Sequence, residues 1–347
     1  MENNISEMAQ YAASHKLQLR PHAKTHKMLQ VGQKQLEAGA VGLSVATIGE
    51  AETFIEAGVQ DIFIAYPVWP SWTTAAQLRQ LARRASLSVG TDSIEAVKHL
   101  SKSLDGATAD IGILIEVNSG HNRSGVSPEK VVHVAQAIQD EGFQFKGIFT
   151  FPGHSYGLGQ PEPVASEEEQ VLGVACDLLL EAGFTVNVVS GGSSPTATLT
   201  QGGVLTEMRP GVYVFGDAQQ YELGRIGWDD VALTVLTTVV SRDDGSNGTT
   251  RRIIVDAGSK IMGGDRPAWT TGFGRVQGVP EARITALSEH HGTIIWPEHE
   301  PLPDIGSQLR VIPNHVCVAV NLVNEVTVVD GQNIVAQWAV AARGLNT

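Results

Sequence analysis

A basic segment near the N-terminus carries the first residues whose types could do chemistry. Positions 20–27 read Arg-Pro-His-Ala-Lys-Thr-His-Lys. A lysine in a crowded cationic site has a lowered pKa and becomes an amine nucleophile, as a Schiff-base lysine must be. Lys24 lies closer to the preceding predicted strand than Lys27, so we expect Lys24 to react and Lys27 to be solvated. The same composition also fits a basic loop that is solvated throughout.

Two glycine-rich segments have the composition of phosphate-binding turns. One reads Ser-Gly-Gly-Ser-Ser-Pro-Thr over 190–196 and contains Gly192 and Ser193, and the other reads Arg-Pro-Gly-Val-Tyr over 209–213. In parallel barrels, phosphate sites form from the loops after the seventh and eighth strands, where backbone N–H groups face the anion. Either segment also fits a tight turn that needs glycine.

His315 and Cys317 form a His-x-Cys motif that could bind a metal. Residues i and i+2 of an extended segment point to one face, and imidazole with thiolate is a donor pair that suits zinc. Two protein ligands would leave positions open for water or substrate. The alternative is a packed histidine beside a buried cysteine, and we expect the other cysteine, Cys176, to lie in the core of a helix.

Two further segments place polar rings and a guanidinium after predicted strands. They read His-Asn-Arg-Ser-Gly over 121–125 and Pro-Gly-His-Ser-Tyr over 152–156. Arg123 could fix a cofactor's ring nitrogen or an anion, and Tyr156 could bond a ring hydroxyl or a phosphate. His154 is a candidate acid or base. Each of these residues also fits a packing role in a loop.

The elements that must position these residues alternate between strands and helices over the first 220 residues or so. We predict eight strands, at 17–21, 41–45, 61–65, 87–90, 111–117, 146–151, 186–189 and 211–215, and helices at 48–57, 127–141 and 167–182. This order is typical of parallel βαβ units, and eight of them predict a (β/α)8 TIM-type barrel. The alternative is a doubly wound sheet, which the lack of a GxGxxG motif after the first strand disfavours.

The pattern of predicted elements changes after about Tyr221. Strand-like runs at 233–241, 252–256, 309–312, 325–329 and 334–338 are separated by turn signals rather than by long helices. We therefore predict a barrel domain over 1–222 and a smaller, mainly antiparallel β domain over 223–347.

Composition excludes several classes of protein. The 347 residues include 24 Lys and Arg against 37 Asp and Glu, a net charge of −13, and basic runs are no longer than two arginines. Nucleic acid is therefore not an expected partner. The two cysteines fit a reducing compartment, and neither a signal peptide nor a membrane span is expected. A cytoplasmic enzyme is the expectation.

Six motifs, taken in their order along the chain, resemble those of the D-serine dehydratase and D-threonine aldolase family. They lie at 20–27, 122–125, 153–156, 191–196, 209–213 and 313–317. The resemblance implies a pyridoxal-phosphate enzyme of fold type III, with the alanine-racemase type of barrel and an added divalent metal. It also implies a homodimer that acts on a small D-amino acid.

Carried over residue by residue, the resemblance implies a role for each motif. Lys24 would hold the cofactor covalently, and His315 with Cys317 would hold the metal, with zinc expected and manganese or magnesium as alternatives. The other cofactor-binding residues would be Arg123, Tyr156, Gly192, Ser193, Gly211, Val212 and Tyr213. His154 would be a second catalytic residue beside Lys24.

The family contains two chemistries, and one residue favours one of them. Its aldolases tend to carry His-x-Asp where this chain has His315-Val316-Cys317, whereas its dehydratases tend to carry His-x-Cys. We therefore expect a D-serine dehydratase-like lyase that eliminates water from 3-hydroxy-D-amino acids to give a 2-oxo acid and ammonia. The alternative is retro-aldol cleavage to glycine and an aldehyde. A racemase, or a cofactor carrier without catalysis, is less favoured.

Overall fold

The chain folds into two compact units in a computed structural model that describes residues 1–200 and 203–347. The first, which we call the barrel unit, consists of Ile5–Gly211 together with Gly344–Thr347. The second, which we call the β unit, consists of Met1–Asn4 together with Val212–Arg343.

Eight parallel strands form the sheet of the barrel unit, in the order β1-β8-β7-β6-β5-β4-β3-β2. They are β1 (Gln18–Leu19), β2 (Leu43–Val45), β3 (Asp61–Pro67), β4 (Ser86–Thr91), β5 (Ile111–Glu116), β6 (Gln144–Phe149), β7 (Val188–Gly191) and β8 (Glu207–Met208). A parallel bridge between His22 and Ser44 joins the two edges, and the Ser44 N–H donates to the Pro21 carbonyl. This topology confirms the predicted (β/α)8 barrel.

The predicted eighth strand at 211–215 was wrong. The strand that pairs with β1 and β7 is β8, through Glu207 and Met208. Pro210 has no N–H to donate to a neighbouring strand, so the extended segment stops before it. The apolar run that follows forms a buried 3-10 turn, Val212–Val214, instead of a strand.

In the part of the chain that the structure describes, seven helices precede or follow the strands of the barrel unit. They are α1 (Glu2–Ser14), α2 (Leu29–Glu37), α3 (Ile48–Glu56), α4 (Trp72–Ala82), α5 (Ile94–Leu104), α6 (Val131–Asp140) and α7 (Pro161–Glu181). α7 begins before the predicted residue 167 because Pro161 occupies its first turn, where a fixed φ favours the helix. Within the described residues, no helix combines the length and apolar character that crossing a membrane would require.

Burial explains why the strands of the barrel unit could be recognised. All six residues of β5 are buried, which is typical of a parallel strand covered on both faces. The helices instead bury one stripe each, as α5 does with Ala96, Val97, Leu100 and Leu104.

A closed antiparallel barrel forms most of the β unit, in the order β10-β13-β12-β11-β14-β9. Its strands are β9 (Val235–Asp243), β10 (Arg252–Val255), β11 (Gly274–Val276), β12 (Val279–Leu287), β13 (Gly292–Ile295) and β14 (Gln308–Pro313). The β unit also contains three short helices, α8 (Ala218–Glu222), α9 (Ser259–Met262) and α10 (Val316–Asn321), and a hairpin of β15 (Glu325–Asp330) and β16 (Asn333–Ala339). The prediction missed β11, β12 and β13. Bulges in β11 and β12 interrupt the alternation of apolar and polar residues that marks a strand.

Candidate functional site

Lys24 lies in a 3-10 turn, Ala23–Thr25, directly after β1. Its Nζ is 5.5 Å from the centre of the Phe151 ring, and the guanidinium carbon of Arg123 is 5.0 Å from the same centre. Phe151 follows β6 and Arg123 follows β5, so three strand ends converge on one ring. The structure therefore brings together two of the residues that the sequence singled out.

The surroundings of Lys24 are cationic. Burial, with the positive charges of Lys24 and Arg209, holds the pKa of His22 well below its usual value. His22 is therefore neutral near pH 7 and adds no charge to a segment that already carries two cations nearby. This arrangement keeps the positive charge on the lysine and arginine side chains.

Lys27 is buried, so the expectation that it is the solvated lysine was wrong. It is only 5% exposed, and its Nζ lies 3.2 Å from Glu50 Oε1. The same Nζ donates to Asn346 Oδ1 at 2.7 Å. Lys27 has a left-handed backbone with φ of 51°, which turns the chain towards these partners. Its role is an internal ion pair.

His154 lies in the 3-10 turn Gly153–Ser155 that follows β6. Its Nε2 is 3.2 Å from Glu167 Oε2, and its ring stacks on that of His121 with 6.3 Å between centres. His121 in turn meets the Phe151 ring edge to face at 5.6 Å. His154 thus shares the aromatic neighbourhood of Lys24. An imidazole held by a carboxylate has the form of an acid–base group.

The loop after β7 packs its hydroxyl groups inwards. Ser193 is buried, and its Oγ lies 3.0 Å from Ser155 Oγ, beside the turn that ends at Tyr156. Gly192 has a φ of 75°, which favours glycine. Its N–H donates to Glu168 Oε1 at 2.7 Å, so this loop carries a carboxylate behind it that the sequence did not reveal.

The segment after β8 is divided between the two units. Gly211 is the last residue of the barrel unit before residue 344, and a Cβ built on it would lie 2.6 Å from Thr25 Oγ1, one residue beyond Lys24. Val212 and Tyr213 belong to the β unit and are buried there. The roles predicted for these three residues stay predictions.

Arg209 is a buried cation. The sequence predicted it only as the first residue of a turn. Its guanidinium stacks 5.5 Å from the Phe63 ring centre and 5.2 Å from that of Phe149. Its Nε donates to Ser190 Oγ at 2.8 Å, and that hydroxyl donates to Glu207 Oε1 at 2.6 Å. Burial lowers the pKa of Arg209, and the charge of Glu207 opposes that shift.

Glu207 is therefore expected to be a large contributor to the stability of the barrel unit. It also accepts a hydrogen bond from Arg20 Nε at 2.7 Å, with its side chain only 1% exposed. Glu207→Ala leaves buried guanidinium groups without this counter-charge, which should lower the free energy of unfolding by about 3–5 kcal/mol. Urea unfolding followed by circular dichroism measures the change.

A matched control for that variant lies in the same unit. Glu56 faces Arg84 at 3.9 Å in an exposed pair, and Glu56→Ala should change the free energy of unfolding by about 0–1 kcal/mol. Equal effects of the two substitutions would contradict the assignment of Glu207 as a buried counter-ion.

His315 and Cys317 lie at the start of α10. His315 is its N-cap and Cys317 is in its first turn, so the expectation of a shared face on an extended segment was wrong. Asp217, which is fully buried, explains the geometry. Its Oδ2 lies 3.4 Å from His315 Nδ1 and accepts from the Val316 N–H at 3.2 Å, while its Oδ1 accepts from the Gln220 N–H at 2.9 Å.

The environment of His315 fits a divalent metal. A carboxylate on one ring nitrogen is the usual outer partner of a metal-binding histidine. Although burial lowers the pKa of His315, Cys317 and Asp217 raise it well above its usual value, so this corner favours a positive charge. Among the described residues no group of three or more His, Cys, Asp or Glu side chains is spaced for a metal. The assignment of His315 and Cys317 as the metal donors stays a prediction.

Comparison with known proteins decides the family. A family described as "Alanine racemase, N-terminal domain" matches residues 1–219, and a serine dehydratase domain matches residues 232–329. A D-threonine aldolase of Arthrobacter sp. is 32% identical over 99% of this chain and 90% of its own length. The chain belongs to the D-serine dehydratase and D-threonine aldolase family. The domain boundary predicted after residue 222 stays a prediction.

Other members of the family share the whole architecture. The D-threo-3-hydroxyaspartate dehydratase of Delftia sp. (strain HT23) is 34% identical over 91% of this chain and 88% of its own. Its solved structure aligns with a TM-score of 0.88, covering 98% of this chain and 94% of that one. A D-threonine aldolase from Filomicrobium marinum aligns at 0.87, with 30% identity, covering 99% and 93%.

Two of the similar solved structures are variants of a D-threo-3-hydroxyaspartate dehydratase. In one a histidine is replaced by alanine, and in the other a cysteine two positions later is replaced. The structure of the cysteine variant is described as the metal-free form. That pair of residues has the same types and spacing as the His-x-Cys motif of this chain.

Proposed function

We propose that this chain is a pyridoxal-phosphate- and metal-dependent lyase that eliminates water from 3-hydroxy-D-amino acids to give a 2-oxo acid and ammonia. The observation that carries the proposal is the pair His315 and Cys317 at the start of α10, where the buried carboxylate of Asp217 lies beside His315 and accepts from the Val316 N–H. Its relatives by name include the Delftia dehydratase and a D-serine dehydratase of Dictyostelium discoideum, 31% identical over 96% of this chain and 91% of its own.

Most of the residues that we assign to the cofactor lie in the barrel unit. Pyridoxal phosphate supplies an electron sink for the bond that breaks beside the substrate amine. Lys24 would hold it covalently, Arg123 would lie near its ring, and the buried hydroxyls of Ser193 and Ser155 support a place for its phosphate. Gly192, Tyr156, Gly211, Val212 and Tyr213 complete the proposed cofactor site.

The metal is assigned to His315 and Cys317, with zinc as the ion that imidazole and thiolate suit best. Its chemistry would be that of a Lewis acid towards the substrate hydroxyl. Lys24 Nζ would remove the Cα proton, which is the proton that elimination requires. We further propose a cytoplasmic homodimer, which the family resemblance and the acidic composition support.

A second candidate function is aldol cleavage to glycine and an aldehyde. The observation that favours it is the 3.2 Å contact between His154 Nε2 and Glu167 Oε2, because a neutral imidazole held by a carboxylate could accept the proton of the substrate hydroxyl. The Arthrobacter relative that bears the aldolase name matches over nearly the whole chain. A racemase is less favoured, since it needs no metal.

Product analysis with D-threonine tests the proposal. The purified protein, supplied with pyridoxal phosphate and zinc, is expected to release 2-oxobutanoate and ammonia in equal amounts. L-Threonine is the control and should not react. Glycine and acetaldehyde would replace the dehydratase assignment by the aldolase one. If D-threonine, D-serine and 3-hydroxy-D-aspartate all stay intact, the protein is not a lyase of this class.

A further inference from the structure

A carboxylate is built into the back of the 190–196 loop. Glu168 lies on α7 and is 2% exposed. Its Oε1 accepts a hydrogen bond from the Gly192 N–H at 2.7 Å, and a Cβ on Gly191 would overlap that same oxygen. A side chain at 191 would therefore displace the carboxylate from its place against the loop's backbone.

A line of buried hydroxyls leads away from this carboxylate. Thr196 Oγ1 lies 3.5 Å from Glu168 Oε2, Ser193 Oγ lies 3.1 Å from Thr196 Oγ1, and Ser155 Oγ lies 3.0 Å from Ser193 Oγ. All three hydroxyl residues are buried. Because each hydroxyl has one hydrogen to donate, the direction of one bond fixes the direction of the next.

Two charged groups act on Glu168 from its surroundings. Arg209, which follows β8, favours the ionised carboxylate, and Glu169 on the same helix opposes it. Burial is the larger effect and raises the pKa of Glu168 to about 7. The hydroxyl line therefore ends at a group whose charge can change under ordinary conditions.

We propose that Glu168 is a positioning residue that sets the direction of the hydroxyl line. When a phosphate binds at this loop, the Glu168 carboxylate takes up one proton from solvent. The inference rests on the proposed function in one respect, that the loop receives the phosphate of the cofactor. Its subject is how this chain's own hydrogen bonds respond to that anion.

The two protonation states orient the hydroxyls in opposite ways. When Glu168 is ionised, Thr196 donates to it and the hydrogens of Ser193 and Ser155 point inwards, which leaves lone pairs at the outer end. When Glu168 is protonated, it donates to Thr196, and the hydrogens turn outwards to meet the oxygens of a phosphate dianion. A dianion therefore favours the protonated carboxyl.

The pH dependence follows from this linkage. Bound phosphate raises the pKa of Glu168 above its value in the ligand-free protein, so affinity is highest at low pH and falls as pH rises. Because binding requires the uptake of one proton, the affinity for phosphate falls about tenfold for each unit by which the pH rises between about pH 7 and pH 9. Phosphate itself stays a dianion over this range, because its second pKa is about 6.

Glu168→Gln removes the group that takes up the proton but keeps its hydrogen bonds. The amide oxygen accepts from Gly192, and the amide nitrogen donates to Thr196 at every pH. Calorimetric titration with pyridoxal phosphate at about pH 8, in two buffers of different ionisation enthalpy, counts the protons exchanged. Wild type is expected to take up close to one proton more than the variant. Glu181→Gln, exposed at the end of α7, is the matched control and should behave as wild type.

The outcomes separate this inference from the proposed function. Equal proton counts in wild type and Glu168→Gln overturn the inference while binding of the cofactor stands, whereas no binding by wild type at any pH overturns both. Pyridoxal, which has no phosphate, should show no difference between the two proteins, and a difference with it contradicts the inference. Thr196→Val removes the hydroxyl that links the Glu168 carboxyl to Ser193 but leaves the carboxyl itself in place, and it should lose the extra proton too. It supplies a second variant if the first is unstable.

Discussion

Replacing Lys24 with alanine is expected to abolish covalent attachment of pyridoxal phosphate and to lower lyase activity by a factor on the order of 10³ or more. The reason is that the proposed reaction uses the Lys24 amine twice, to hold the cofactor and to move the Cα proton. The visible absorbance of the bound cofactor measures attachment. Borohydride reduction followed by mass spectrometry of the peptides shows which lysine is modified.

Lys27 provides the matched control for this experiment. It lies three residues further on, but its Nζ is committed to Glu50 and Asn346 inside the barrel unit. Lys27→Met should lower stability and keep the visible absorbance. If Lys24→Ala keeps the absorbance and Lys27→Met loses it, the covalent role has been assigned to the wrong residue.

Cys317→Ala is expected to lose the metal and the activity while it retains the cofactor. The thiolate is one of two protein donors in the proposed site, so its removal should weaken metal binding by at least about a hundredfold. Elemental analysis after dialysis measures metal per chain, and the visible absorbance reports the cofactor in the same sample. His315→Ala should behave in the same way.

The other cysteine of the chain is the natural control. Cys176 lies on α7. The sequence predicted that it lies in the core, but the structure shows it half-buried. Cys176→Ala should keep both metal and activity. Full metal content in Cys317→Ala would remove the metal site from this motif, and loss of metal in both variants would show that the effect is not specific.

The sequence predicts the barrel unit well because its strands are continuous apolar runs between helices. β5 shows this most clearly, since every one of its residues is buried. Prediction failed where one residue changes the backbone, as Pro210 does after β8. In the β unit it failed where bulges shift the register, as between Arg275 and Val276.

The candidate site could be predicted only as far as strand ends could be read. Lys24, Arg123 and His154 each follow a strand, and parallel strands bring their ends to one edge. Asp217 and Glu168 could not be found in this way. Each is a buried carboxylate whose partners lie on another element, and the sequence alone does not show which distant N–H groups or hydroxyls a carboxylate will meet.

The hydrogen bond between Lys27 and Asn346 has a consequence for the order in which the barrel unit is completed. Asn346 Oδ1 accepts from Lys27 Nζ, and the Leu345 carbonyl accepts from Thr47 Oγ1 at 2.8 Å. A ribosome adds roughly 5–20 residues per second, so residue 346 follows β8 by on the order of ten seconds. During that interval all eight strands have already been translated, yet the buried ammonium of Lys27, three residues after Lys24, still lacks its hydrogen bond to Asn346. The barrel unit is therefore completed late in synthesis, by residues that are translated after the whole β barrel.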